Sequence, residues 1–246
     1  MKLVLLGTGG YFPTSRRQTA CLMLPEIGVV LDAGSGIYRL GKYLQTEALD
    51  IFLTHAHLDH VAGLTCLLNL VPPDVLDRTT VHGHKAMLAA VREHLFAEAI
   101  FPVAPFFRFA ALDGFHVLPH GGRLEHFPLT HPGGSLGFRL EWPGHSMAYV
   151  TDTMATETAD YIDEIRDVDL LVHEAFFAED IGFMLTKTGH SSLLAVAAVA
   201  AKANVRRLVA VHIDPQIEDD SVFDITAARK LFANTELAVD GMELDF

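Results

Sequence analysis

Three imidazoles and a carboxylate fall within six residues, in Thr54-His55-Ala56-His57-Leu58-Asp59-His60. Imidazole nitrogen and carboxylate oxygen are the donors that bind zinc, iron or manganese. The apolar run Ile51-Phe52-Leu53 comes directly before them. A buried strand is expected to end there and release the chain into a polar loop. His55 and His57 project to one side of an extended segment, while Asp59 and His60 follow after a turn, so the spacing suits two metals. The simpler reading is a solvated His-rich loop with Asp59 capping a helix. Three histidines and an aspartate at a strand end favour the metal site.

The elements that must hold this motif follow from patterning. Strands are expected at Lys2–Leu6, Ala20–Leu24, Val29–Leu31, Asp50–Thr54, Thr79–His82, Phe115–Leu118, Leu124–Thr130, Leu136–Glu141, Met147–Thr151, Leu170–His173 and Leu208–Val211. Helices are expected at Gly36–Leu44, Asp59–Leu70, Lys85–Phe96, Ala159–Arg166, Ser191–Ala203 and Asp224–Phe232. Ser191-Ser192 reads as a cap ahead of an Ala-rich buried helix. Strand-rich hairpins interrupted by helices, once before and once after the middle, predict a layered α/β sandwich. No linker, repeat or low-complexity tract divides the chain, so one domain over residues 1–246 is expected. The loop Phe101–Phe107 walls a pocket, meets a partner subunit or packs in the core.

Half of the 246 residues are hydrophobic, enough for a sizeable core. No stretch is long and apolar enough to span a membrane. The run Leu3-Val4-Leu5-Leu6 stops at Gly7, too soon for a signal peptide, and reads as the first strand. Cys21 and Cys66 sit in apolar runs and are expected to be buried free thiols, which fits a cytoplasmic location. The formal net charge of −13 leaves no broad basic face, so extended nucleic acid is an unlikely partner. A small phosphorylated substrate remains compatible, because bound cations supply local positive charge.

Three later strand ends offer further donors: Thr130-His131-Pro132, Thr151-Asp152-Thr153 and Val211-His212-Ile213-Asp214. Alone, Asp152 reads as a turn residue and His212 as a strand-end histidine. Four such exits together point to one gathered site. His82 and His84 form another His-x-His with no acid close behind, and read as structural or surface residues.

With these residues in place, the chain resembles the metallo-β-lactamase superfamily, the αββα sandwich hydrolases with two mixed sheets flanked by helices. The resemblance runs from Leu6-Gly7-Thr8-Gly9-Gly10 and Val30-Leu31-Asp32-Ala33-Gly34 to Asp240-Gly241-Met242-Glu243. It implies that His55, His57 and His131 hold one metal, that Asp59, His60 and His212 hold another, and that Asp152 bridges them. Within the superfamily the chain is similar to the ribonuclease Z and cyclic phosphodiesterase branch. The segment His131-Pro132-Gly133-Gly134-Ser135-Leu136-Gly137-Phe138-Arg139 carries that likeness, as do His173-Glu174-Ala175 (followed by Phe176 where the branch has Thr) and Gly189-His190-Ser191. The long arm by which ribonuclease Z grips transfer RNA has no room between His131 and Asp152.

The resulting expectation is a phosphodiesterase with two divalent ions, zinc first and manganese or iron as alternatives. It would act on a small or cyclic phosphodiester through a hydroxide shared by the metals. His190 is expected to protonate the leaving oxygen, Glu174 to fix the His190 tautomer, and Asp59 to handle a proton beside the nucleophile. His173 is expected to face the core. A lactonase or thioesterase on the same metals, and a non-catalytic metal-binding protein, are the competing readings. A homodimer is plausible by base rate.

Overall fold

The computed structural model describes residues 1–246. The chain resolves into two units, one of Met1–Asp113 with Val239–Asp245 and one of Gly114–Ala238 with Phe246. Each holds one seven-stranded mixed sheet with helices against it, which is the expected fold class.

In the first unit the strands are β1 Lys2–Gly7, β2 Cys21–Leu24, β3 Val29–Leu31, β4 Leu49–Phe52, β5 Thr79–Gly83, β6 Arg108–Ala111 and β14 Met242–Asp245. Their order is β14-β1-β2-β3-β4-β5-β6, antiparallel as far as β3 and parallel from β3 to β6. Consecutive residues of β1, β2 and β3 are buried, so these strands read as continuous apolar runs rather than alternations. Val4, Leu6, Met23, Ile51 and Val81 pack with Ile37, Leu40, Leu64, Leu67 and Leu88 from the helical segments.

In the second unit the strands are β7 His116–Leu118, β8 Gly122–Leu129, β9 Ser135–Trp142, β10 His145–Val150, β11 Leu170–Glu174, β12 Leu208–Val211 and β13 Thr235–Leu237, ordered β13-β12-β11-β10-β9-β8-β7. Strands β10 to β13 are parallel, and β8 runs with them because β9 is antiparallel to both β8 and β10. The C-terminal ends of β8, β10, β11 and β12 therefore share one edge of the sheet. The helix Leu193–Lys202 buries Leu193, Val196, Ala197, Val199 and Ala200 against Ala148, Leu171, Leu208 and Ala210. Truncating one large aliphatic side chain in such a core costs about 2–5 kcal/mol.

Several expectations need correction. Residues 58–70 are not one helix but Leu58–Val61, a 3-10 stretch Ala62–Cys66, and Leu67–Leu70. The break has a local cause: a Cβ on Gly63 would lie 2.3 Å from the Gly34 carbonyl oxygen, so backbones meet there and the turn yields to them. Residues 159–166 form only a 3-10 turn at Asp160–Ile162. Ser192 stands at the cap of the Ala-rich helix but makes no side-chain cap bond. Ser191 instead accepts from the Ala155 N–H at 2.8 Å and donates to the Thr153 carbonyl at 2.7 Å, tying the turn after β10 to the helix entry. Cys21 is buried as expected, whereas Cys66 is exposed, because it follows Leu64 onto the outer side of a tight turn. Phe107 is buried among Phe96 and Phe109, so one end of the 101–107 loop is core, while Phe106 is exposed. No helix is long and apolar enough to cross a membrane.

Candidate metal centre

In the first unit β4 ends at Phe52, and Leu53-Thr54 lead into the His-rich loop. His55 and His60 are buried, His57 is exposed and Asp59 is partly buried. The His55 ring centroid lies 4.4 Å from that of His57 and 4.2 Å from that of His60. His60 is fixed from behind. Its Nδ1 lies 2.8 Å from Asp32 Oδ2, and its Nε2 lies 3.5 Å from Asp59 Oδ2. Asp32 sits just past β3, and it accepts from the Thr54 N–H at 2.8 Å and from the Thr54 hydroxyl. Two strand ends are thus locked through one buried carboxylate. Asp59 Oδ2 also accepts from the Tyr11 N–H at 2.8 Å.

In the second unit the shared sheet edge gathers His131 after β8, Asp152 after β10, Glu174 at the end of β11 and His212 after β12. His131 Nδ1 donates to the Gly189 carbonyl at 3.2 Å, and its Nε2 lies 3.5 Å from Asp152 Oδ2. His212 Nε2 lies 3.3 Å from Asp152 Oδ1. A carboxylate oxygen of Asp152 and one ring nitrogen each of His190 and His212 fall within 4.8 Å of one another.

His190 is held by Glu174, with Nδ1 to Oε1 at 3.0 Å. Glu174 is fully buried and also accepts N–H bonds from Thr153, Phe176 and Ser191. The Glu174 carboxylate accepts from every donor around it, so His190 Nδ1 carries the proton of that bond and Nε2 is the nitrogen left for proton exchange. Phe176 stacks on the His190 ring at 4.6 Å and 14°, which limits its rotation. His173 faces the core as expected. Its Nδ1 donates to the Glu174 carbonyl at 2.7 Å, and its Nε2 accepts from the Tyr161 hydroxyl at 2.8 Å. Burial pushes the His173 pKa down, opposed by its bond to the Glu174 carbonyl. His82 is likewise structural, bonded to Asp50 and stacked on Phe52.

The donor set fits divalent metal on two counts. In each unit a histidine is anchored through Nδ1 and turns Nε2 toward a carboxylate oxygen 3.5 Å away, the pattern of a ligand pair with an outer-shell partner. In addition, Asp32, Asp152 and His212 have positive φ of 59°, 53° and 56°. Such backbone costs about 1–3 kcal/mol per residue and concentrates at functional sites. Sequence reasoning assigned no role to Asp32 or to the Gly189 carbonyl. Asp32 lay within the quoted Val30–Gly34 segment, where an acid after an apolar run was the available signal.

The sheets and these strand-end donors define a metal-dependent hydrolase of the metallo-β-lactamase fold. The chain belongs to the family described as the β-lactamase superfamily domain, whose profile matches residues 29–213. It is 26% identical to ribonuclease Z of Methanosarcina acetivorans, over 100% of this chain and 98% of that one. It is 27% identical to ribonuclease Z of Bradyrhizobium diazoefficiens, over 97% of each. Among solved structures it is similar to the metallo-β-lactamase fold protein YhfI of Bacillus subtilis, with TM-score 0.82 and 19% identity over 99% of both chains. It is also similar to the short form of human tRNase Z, with TM-score 0.77 and 21% identity, covering 100% of this chain and 99% of that one.

These relatives overturn one expectation. The acidic composition makes extended nucleic acid an unexpected partner, yet proteins named ribonuclease Z match the chain nearly end to end. The physical reason is that a net charge sums the whole surface. It does not report the field at a site where bound cations face the phosphate.

Proposed function

We propose that this chain is a dinuclear-metal phosphodiesterase formed by residues 1–246 as one metallo-hydrolase domain. The carrying observation is the repeated pairing of an Nδ1-anchored histidine with a carboxylate, His60 with Asp59 and His131 with Asp152. In this reading His55, His57 and His131 would hold one ion, Asp59, His60 and His212 would hold the other, and Asp152 would be shared by both. Zinc is the first choice, with manganese or iron suited to the same donors. When bound, the ions neutralise phosphate charge and lower the proton affinity of water.

The protein's own residues do the rest. Asp32 and the Gly189 carbonyl hold two imidazoles with Nδ1 as the donor, so that each Nε2 faces a carboxylate oxygen. Glu174 and Phe176 hold His190 with Nδ1 protonated. As the general acid, His190 would enter the step with a second proton on Nε2, its charge balanced by Glu174, and would give that proton to the leaving oxygen, while Asp59 would take part in proton handling beside the nucleophile. The substrate class is a phosphodiester. The ribonuclease Z relatives put an RNA phosphodiester first. A small or cyclic phosphodiester is the second reading, favoured by an interval from His131 to Asp152 that holds only β9, β10 and their turns. A cytoplasmic location is supported by the two free thiols, one of them exposed.

The test is hydrolysis of bis(p-nitrophenyl) phosphate, precursor transfer RNA and a cyclic nucleotide, with metal content measured alongside. About two metals per chain and turnover abolished by chelation are expected for this mechanism. Metal-loaded protein that cleaves no phosphodiester but hydrolyses thioesters or lactones overturns it.

A further inference from the structure

The loop that carries the candidate ligands alternates in chemistry. His55, His57 and Asp59 are separated by Ala56 and Leu58, both exposed, with Leu58 at 68%. An exposed leucine between two metal-ligand positions has no packing role. In the first unit, Ala56 and Leu58 form one wall of a cavity of about 380 Å³, closed by Val91, His94, Leu95 and Ile100. Ile100 is 70% exposed and is therefore also held on the surface. The lining is aliphatic apart from a single imidazole.

The opposite wall is irregular in a telling way. The helix Lys85–Ala90 passes into a π-helical turn at Val91–Leu95, with the Phe96 N–H bonded to the Val91 carbonyl at 3.3 Å. Wide turns of this kind are rare and lie frequently at functional sites. Here the wide turn supplies Val91, His94 and Leu95 to the cavity. The volume falls in the range of small-molecule pockets, which are mostly apolar with a few polar groups.

We infer that this cavity is the subsite for a nucleobase of the phosphodiester substrate. The inference rests on the proposed phosphodiesterase activity and names the part of the substrate that sits beside the metals. A flat, uncharged aromatic base suits aliphatic walls. His94 offers one hydrogen-bonding or stacking edge, and the shared loop sets the base next to the proposed metal-ligand positions His57 and Asp59, where the phosphate would be bound. A methyl or glycerol substituent at the same place would leave the walls uncovered.

Two measurements test it separately from the activity. Adenosine monophosphate, a phosphomonoester, is titrated into metal-loaded protein labelled at isoleucine, leucine and valine methyls. Shifts centred on Leu58, Val91, Leu95 and Ile100, with Ile100→Ser weakening binding at least about fivefold, are expected if burial of the base supplies the affinity. Saturation without shifts at those methyls, or an Ile100→Ser affinity within twofold of the original, overturns the inference. In parallel, thymidine 5′-p-nitrophenyl phosphate is compared with methyl p-nitrophenyl phosphate, which shares its leaving group. The subsite predicts a clear preference in kcat/KM for the thymidine ester, collapsing toward parity in Ile100→Ser. Equal kcat/KM for both esters rejects the base subsite while leaving the phosphodiesterase reading intact. Methyl shifts without turnover of either ester reject the activity and retain a base-binding cavity.

Discussion

Asp32 Oδ2 lies 2.8 Å from His60 Nδ1, and neither side chain is exposed. The two residues are 28 apart in sequence and meet because β3 and β4 run parallel and end side by side. The carboxylate accepts everything offered to it, from Thr54 as well as from His60. An amide in its place can still accept from Thr54, but it turns an NH₂ toward His60. His60 would then hold its proton on Nε2, where a metal needs a lone pair. Asp32→Asn is therefore expected to weaken metal binding at His60 by about 10–100-fold, in the range seen when outer-shell partners are lost. Competition with a chromophoric chelator checks it, and an affinity within twofold of the original would remove Asp32 from the centre.

His190→Ala separates metal binding from proton transfer. The ring is held by Glu174 and Phe176, and its Nδ1 is already committed. Loss of a positioned general acid lowers turnover by about 10²–10⁴-fold. Metal content and KM are expected to stay near the original values. The loss should shrink for a substrate whose leaving group needs no proton, such as p-nitrophenolate. An equal loss on activated and unactivated esters would make His190 a structural residue.

The strand-end donors were legible because their chemistry is local. His55 to His60 announce themselves in six residues, and each later donor follows an apolar run. Strands β1, β2, β3 and β12 were legible for the same reason, since they are near-continuous apolar segments. Of the four edge strands only β7 was expected, at Phe115–Leu118, while β6, β13 and β14 were not. Arg108–Ala111 has no buried residue, and Met242–Asp245 buries only Leu244, so neither carries a pattern that separates it from a loop. The helix at Phe183–Thr188 buries none of its residues and gave no periodic signal. Asp32 behind His60 and the Gly189 carbonyl behind His131 depend on contacts 28 and 58 residues apart, which no window of sequence contains.

His173 gives a pH dependence with a definite sign. Burial depresses its folded pKa below the usual value near 6.5, so the folded chain holds it neutral. Above that pH the folded and unfolded chains bind the same number of protons at this residue, and its contribution is fully present. As pH falls below about 6.5 the unfolded chain takes up a proton that the folded chain refuses, and stability is lost down to the folded pKa. His173→Gln keeps a partner for the Tyr161 hydroxyl and cannot titrate. The stability difference between the original protein and His173→Gln should therefore shrink from pH 7.5 to pH 5, measured by urea unfolding at each pH. A difference that is flat with pH would mean His173 titrates normally.

Metal removal should unfold the protein sooner. A ligand that binds only the folded state stabilises by about 4 kcal/mol at a thousandfold excess over its dissociation constant. Asp152 is 2% exposed and faces both His131 and His212, so without cations the centre leaves carboxylate and imidazoles to settle among themselves. Chelation is expected to lower Tm in the original protein, and Asp152→Ala should show the lower Tm with little further change on chelation. A Tm unmoved by chelator in both proteins would argue that no metal is held.

Gly189 is constrained by both its backbone and its neighbours. Its φ is +73°, and a Cβ there would lie 2.7 Å from Pro132 Cδ and 2.9 Å from His131 Nδ1. Its carbonyl is also the acceptor that fixes the His131 tautomer. Gly189→Ala is therefore strained twice, once in the backbone and once against the imidazole it must hold. The strain alone costs about 1–3 kcal/mol. The stronger consequence is local: His131 is pushed off the carbonyl, its Nε2 turns from Asp152, and the metal affinity expected of this pair falls. Pairing the Tm shift with a metal titration distinguishes the two. A fall in Tm that persists after chelation measures the backbone strain, and a loss of metal affinity of about tenfold or more measures the displaced ligand. Gly189→Ala that binds metal as tightly as the original would show that His131 needs no backing from the 189 carbonyl.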